Sequence, residues 1–283
     1  MEKIICKDFT VSGESFELHY NPELDLYATS PQPEEEQLSQ YYQSKAYISH
    51  TDSRESFFDK IYQWVKWYAI QRKVKLIDSL GTSARKLLDV GCGTGSFLEA
   101  AAKKHWQVFG VEPNPDAQDL ARQKLNKDAC VFDSIEAFNS NAYLGTFDVI
   151  TLWHVLEHVP DYDVYINKLK KLLTPTGILL IAVPNYKSYD ASHYQSFWAA
   201  YDVPRHLWHF SPKAIRLIFK QHQLKVHRRI PMKWDAYYVA LLSEKYITGT
   251  SNFLKAFYIG FLSNWKAKSS GNYSSLIYLI KKE

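Results

Sequence analysis

Three glycines, Gly91, Gly93 and Gly95, stand between an apolar run, Lys86–Val90, and an Ala-rich stretch that begins at Ser96. Glycine at such positions lets the chain turn sharply and lets a ligand approach the backbone with no Cβ in the way. A helix starting near Ser96 would add free N–H groups and a positive dipole end. Two acids flank the arrangement. Asp89 precedes the loop, where a carboxylate suits a cationic amino-acid ligand and opposes a pyrophosphate. Glu112 follows about 20 residues on, at the end of the next apolar run, where an acid can accept both hydroxyls of a ribose. Hydrogen bonds to a charged group contribute roughly 1.5–3 kcal/mol each. The third glycine comes one residue too early for the Gly-x-Gly-x-x-Gly dinucleotide turn. A nicotinamide-nucleotide oxidoreductase on a related sheet is therefore the alternative, not the leading expectation.

A second constellation is built on histidine. His154-Val-Leu-Glu157-His158 spells the His-x-x-Glu-His pattern of inverted zinc proteases. That chemistry needs a long helix, and Pro160 ends any helix within a turn. If the turn is helical, residues 154, 157 and 158 share one face, and His206 and His209 can approach from further along the chain. Such a nitrogen-rich set is zinc-like in its donors. Imidazole also titrates near neutral pH, so His158, His206 and His209 are candidates for a general base.

The elements that must position these residues alternate between strand and helix. Strands are expected at Lys86–Val90, Val108–Val111, Cys130–Phe132, Phe147–Leu152, Ile178–Val183 and Leu224–Ile230. Helices fall between them at Ser96–Lys104, Asp116–Lys127, Tyr162–Leu173 and Pro212–His222. This rhythm implies a mostly parallel, Rossmann-like α/β sheet with helices on both faces and its ligand beyond the carboxyl ends of the strands. Residues 81–283 would form that domain, with a long aromatic connection at 185–210 and a helical insertion at 231–271. Ser274–Ile280 then closes the sheet as an antiparallel last strand. Residues 1–80 read as an N-terminal extension capping the cleft: short extended pieces to Pro33, a helix start at Glu34–Glu36, and a longer helix over 54–80.

Composition narrows the classes. The chain has 283 residues, 46% hydrophobic and 23% charged, as a globular protein does. A net charge of +4 is too small to argue for nucleic acid or an anionic membrane. No apolar run reaches the roughly 18 residues of a membrane span, no signal-peptide pattern opens the chain, and the three cysteines form no framework, so a cytoplasmic location is expected. Aromatics at 15%, many of them outside the cofactor-type segment, pack an accessory layer, a substrate pocket or a homodimer surface.

Leu-Leu-Asp-Val-Gly-Cys-Gly-Thr-Gly-Ser-Phe-Leu followed by Val-Phe-Gly-Val-Glu-Pro-Asn resembles the first two motifs of class I S-adenosylmethionine methyltransferases. The segment Trp153–Asp161 and the later Leu-Thr-Pro-Thr-Gly-Ile-Leu-Leu-Ile-Ala-Val-Pro-Asn are similar to the later motifs. Over residues 85–230 the chain looks most like the branch that includes ubiquinone-biosynthesis O-methyltransferases. It also resembles bacterial proteins with Arg-His-Leu-Trp-His-Phe-Ser-Pro near residues 205–212. The resemblance implies that Asp89, Gly91, Cys92, Gly93 and Gly95 hold the methionine portion of the cofactor and Glu112 its ribose. It implies Pro113 and Asp133 beside adenine, and Trp153 and His154 facing the bound cofactor. Relatives carry a Glu-x-x-Glu-His turn that binds a divalent metal; here His154 replaces the first glutamate, and no metal ligand is assigned. Some relatives also open with a Cys-x-x-Cys zinc ribbon, where this chain has Tyr20-Asn21-Pro22-Glu23. The expected activity is methyl transfer to a small-molecule acceptor, aromatic, lipidic or glycan-linked, with oxygen as the expected atom. A non-catalytic S-adenosylmethionine-binding protein is the second alternative.

Overall fold

The computed structural model describes residues 3–34, 37, 39–42, 57–125, 130–138 and 141–283. Glu35 and Glu36, from the expected helix start, and the first residues of the 54–80 helix lie outside them. The chain divides into two compact units. Unit one comprises Met1–Ile48, Leu156–Tyr162 and Ala182–Tyr278; unit two comprises Ser49–Val155, Asp163–Ile181 and Leu279–Glu283.

Strands β4 (Lys86–Val90), β5 (Gln107–Val111), β6 (Cys130–Phe132) and β7 (Phe147–Trp153) form the parallel part of a seven-stranded sheet. Strands β8 (Leu173–Pro184), β10 (Leu224–Pro231) and β11 (Ser275–Lys282) complete it in the order β10-β11-β8-β7-β4-β5-β6. Ile178–Val183 is buried throughout, as an aliphatic strand covered on both faces must be. The register sets Asp89 beside Gly110 on one neighbour and beside Thr151 on the other. Every expected strand of the sheet is present, displaced by at most a few residues at its ends; β8 begins earlier, at Leu173.

Four helices accompany this part of the chain: α1 (Phe57–Asp78), α2 (Ser96–Ala102), α3 (Pro115–Lys124) and α4 (Tyr162–Leu172). The start of α3 follows from its sequence. The Asn114 side chain accepts the Ala117 N–H at 3.0 Å, and Pro115 occupies the first turn, where a missing N–H costs nothing.

In unit one, β1 (Lys3–Lys7), β2 (Ser15–Asn21), β3 (Leu26–Ser30) and β9 (Trp208–Phe210) form an antiparallel four-stranded sheet. The β2–β3 turn is closed by Asn21, whose side-chain oxygen accepts the N–H groups of Glu23 and Leu24 at 3.0 and 3.1 Å. The stretch after β8 has structure of its own: a short helix α5 (Tyr189–Tyr194), two 3-10 turns, and β9 pairing with β3. Its aromatics are the reason. Tyr194, Trp198 and Tyr201 are buried in one cluster with Phe16 and Leu18, and the Trp198 indole N–H donates to Asp190 at 2.8 Å. Helix α6 (Pro212–Gln221) follows β9, capped by Ser211; α7 (Asp235–Thr248) and α8 (Phe253–Ser270) form the expected helical insertion.

Candidate active site

Unit two contains every residue expected to touch a cofactor. At the end of β4 the chain turns on Gly91 (φ +70°), and the Gly91 and Cys92 N–H groups both donate to the Val111 carbonyl, at 2.8 and 3.0 Å. A Cβ on Gly91 would lie 2.5 Å from Cγ2 of Val155, so no other residue fits without a shift. Gly95 (φ +74°) has the same requirement against Ala121, at 2.9 Å. Gly93 differs: among the described residues a Cβ there would meet nothing within 4 Å, so its backbone faces open space.

The two acids are held in different ways. Asp89 is 2% exposed and accepts the Thr151 hydroxyl at 2.6 Å. Burial pushes its carboxyl up to about 7, with Thr151 and the charge of Lys73 pulling the other way. Glu112 accepts the Gly93 N–H at 2.8 Å and the Asn114 N–H at 3.0 Å, tying the glycine loop to the end of β5. Its pKa is also raised by burial, against those two amides. Cys92 is buried, which raises its thiol pKa, and its Sγ would lie 2.8 Å from a Cβ on Gly110. Trp153 packs edge-on against Phe97 with ring centroids 5.6 Å apart, and Lys73 Nζ sits 4.4 Å from its ring centre. Among the described residues the buried Trp153 indole N–H has no acceptor. His154 is left-handed (φ +60°), a conformation that strains a non-glycine residue. Pro113 and Asp133 are exposed.

Thr151, Lys73 and Gly110 were not anticipated from the sequence. Thr151 had a signal: it is a polar residue inside a run of apolar ones, fully buried, and such a group needs a partner. Lys73 had none, because its role depends on how α1 packs.

Unit one contains the other candidate histidines, His158, His206 and His209. Leu156–His158 is a single 3-10 turn, too short for the zinc-protease helix. The His158 Nδ1–H donates to the Arg205 carbonyl and the His206 Nδ1–H to the Ala200 carbonyl, each at 2.9 Å. Carbonyls only accept, so both rings keep the Nε2 lone pair when neutral. Thr29 donates its hydroxyl to the His206 carbonyl at 2.6 Å and so accepts from His209 Nε2–H at 3.0 Å. Burial lowers the pKa of His209 well below its ordinary value and brings His158 down to about 4, aided there by His206. One oxygen of Glu157 and one ring nitrogen each of His158 and His206 lie within 4.8 Å of one another, close enough to share a cation. Beneath them Arg205 is 3% exposed and donates to Asp8 at 3.0 Å, to Asp202 at 2.6 and 3.0 Å, and to the Tyr41 carbonyl at 3.1 Å.

A mostly parallel sheet with a glycine turn after β4 defines the Rossmann-like α/β class. Residues 36–228 match the family described as a methyltransferase domain, and the chain belongs to that family. The ubiquinone biosynthesis O-methyltransferase of Actinobacillus pleuropneumoniae serotype 7 is 38% identical over 112 residues, which cover 37% of this chain and 48% of that protein. The same-named protein of Rhodopseudomonas palustris is 28% identical over 148 residues, covering 49% and 56%. The chain spans about half the length of the curated relatives it matches. Among solved structures, the magnesium protoporphyrin IX methyltransferase of Synechocystis PCC 6803 with bound SAH has the same fold, with a TM-score of 0.57 at 14% identity over 88% of this chain and 100% of that one. The cyclopropane synthase MmaA2 of Mycobacterium tuberculosis gives 0.55 at 17% identity over 89% and 100%. S-adenosylmethionine is the cofactor of this family, and the nicotinamide alternative finds no support. The local chemistry fits: a buried carboxylate, a second acid on the loop, open space over Gly93 and an orphan indole donor.

Proposed function

We propose that the protein transfers a methyl group from S-adenosylmethionine to an oxygen of a small-molecule acceptor. The observation that carries this is the pairing of Asp89 with Thr151 and of Glu112 with the Gly93 amide, around a loop whose middle glycine opens to empty space. Asp89 receives the ammonium of the methionine portion, alongside Gly91, Cys92, Gly93 and Gly95. Glu112 accepts the ribose hydroxyls, Pro113 and Asp133 flank adenine, and Trp153 and His154 face the bound cofactor. When bound, the cofactor supplies a sulfonium-activated methyl group, poised for in-line displacement.

The acceptor hydroxyl must lose its proton as it is methylated. His158 and His206 are suited to take it at Nε2, because their Nδ1–H bonds hold that lone pair available. His209 commits Nε2–H to Thr29, which favours a positioning role. The names of the curated relatives support oxygen as the atom. Three free cysteines support a reducing, cytoplasmic location.

Titration calorimetry with S-adenosylmethionine tests the binding half of the proposal, and label transfer to a panel of phenolic, lipidic and glycan acceptors tests the other. NAD binding in place of S-adenosylmethionine would overturn the proposal. Bound cofactor with no transfer to any hydroxyl would leave a binding protein instead.

A further inference from the structure

More than half of the large hydrophobic side chains that stand exposed among the described residues fall between Trp234 and Trp265, on the α7–α8 hairpin. The two helices run antiparallel. Lys255 pairs with Glu244 at 3.1 Å, and the Asn264 side chain donates to the Lys233 carbonyl at 2.9 Å. Gly260 lets the backbones close, since a Cβ there would lie 3.0 Å from Cα of Tyr237.

Helix α8 is apolar on both sides. Ala256, Ile259, Gly260, Ser263 and Ala267 form its buried face. At 3.6 residues per turn, Leu254, Phe257, Tyr258, Phe261 and Trp265 gather on the opposite face. Leu254 is 87% exposed and the other four are each more than half exposed. A helix that is hydrophobic all round belongs in a core or in lipid, and α8 is covered on one side only.

Charge indicates what covers the other side. Between Glu244 and Gly271 the chain has four lysines, Lys245, Lys255, Lys266 and Lys268, and no acidic residue. Glu244 itself is buried, accepting from Tyr194 at 3.0 Å as well as pairing with Lys255. Exposed Lys255 and Lys266 border the apolar face along one side, with Lys266 Nζ 3.7 Å from the ring centre of Tyr189, and Lys268 lies near its C-terminal end. A Cβ on Gly271, just beyond α8, would lie 3.6 Å from the guanidinium of Arg229. The modest +4 of the whole chain conceals this local concentration.

We propose that the α7–α8 hairpin docks on an anionic lipid bilayer, with α8 lying in the plane of the interface. The apolar face enters the headgroup–acyl boundary, Trp265 and Tyr258 sit where aromatic residues with one polar atom are favoured, and the lysines meet lipid phosphates. At 18 residues α8 is about 27 Å long, and no helix among the described residues is long and apolar enough to cross a membrane. A second copy of the chain fits this surface less well, because pairing α8 with itself would set its three lysines against the same three, and α8 has no acidic residue.

Vesicle flotation tests this with the full chain. Binding to vesicles of equal parts phosphatidylcholine and phosphatidylglycerol is expected, weakened roughly tenfold or more with phosphatidylcholine alone, and weakened by salt. Leu254→Glu with Phe261→Glu should abolish binding to both, and Lys266→Glu with Lys268→Glu should remove the preference for the anionic vesicles. These side chains are exposed, and an unchanged circular dichroism melt establishes that each variant is folded. Absence of flotation, or binding that neither pair of substitutions alters, overturns the proposal. So does a concentration-dependent dimer in sedimentation that Leu254→Glu with Phe261→Glu abolishes while vesicles are ignored.

Discussion

The cofactor-side residues and the histidines are built by opposite means. Around Gly91–Gly95 the main chain sets the geometry: positive φ angles, a carbonyl accepting consecutive amides, and contacts that exclude a Cβ at Gly91 and Gly95. Around the histidines, His158 and His209 are held by partners far away in sequence, the Arg205 carbonyl and Thr29, while His206 takes the Ala200 carbonyl six residues back. A backbone device depends on a few consecutive residues and tolerates little change within them. A tertiary device spreads its requirements over the chain, so its failure is one of stability first.

The largest expected effect follows from that contrast. Arg205→Ala leaves Asp8 buried without its cation and should lower the unfolding free energy by about 3–5 kcal/mol, read from urea denaturation. S-adenosylmethionine affinity at a temperature where the variant is folded should not change. If affinity falls as far as stability does, the two devices are not separable. Asp89→Ala is the reverse case: a loss of affinity of roughly 100-fold in calorimetry is expected, from removal of a charged partner, with the ligand-free protein no less stable. An unaltered affinity would remove Asp89 from the site.

The pH dependence sharpens the same point. The Asp89 carboxyl titrates at about 7 in the folded chain, above its ordinary value. As pH rises through that window, the unfolded chain has already lost this proton while the folded chain keeps it. Ligand-free stability should therefore decline, then level off above about 7, and Asp89→Asn should remove the decline. Affinity for a cationic ligand should move the other way, rising by up to roughly tenfold per pH unit below 7 and flattening above it. The smallest effect belongs to Thr29→Val, which breaks the link from His209 to the His206 carbonyl. A loss of about 1 kcal/mol in stability is expected, with cofactor affinity unchanged.

The same difference explains what was legible. Asp89, the glycines and Glu112 lie within a stretch of 24 residues and announce a strand, a turn and a second strand by local pattern alone. The seven-stranded sheet was legible for the same reason, because its strands are short apolar runs separated by helices. Strand β9 was not: Trp208–Phe210 reads as the end of an aromatic connection, and only pairing with Leu26–Ala28 makes it a strand. The sequence offered His206 as able to approach His158, and the fold brings the two together, although 48 positions separate them and no periodicity links them.

Arg205 also has a consequence for how the chain is made. Its partner Asp8 lies 197 residues earlier. At ribosomal rates of about 5–20 residues per second, Asp8 waits roughly 10–40 s for its cation to be synthesised. The stretch from Asp89 to Thr151, by contrast, is 63 residues long and can find its partners as it emerges. The segment that contains the glycine loop is thus positioned to order early during translation, while the antiparallel sheet and its histidines close only after the middle of the chain has left the ribosome.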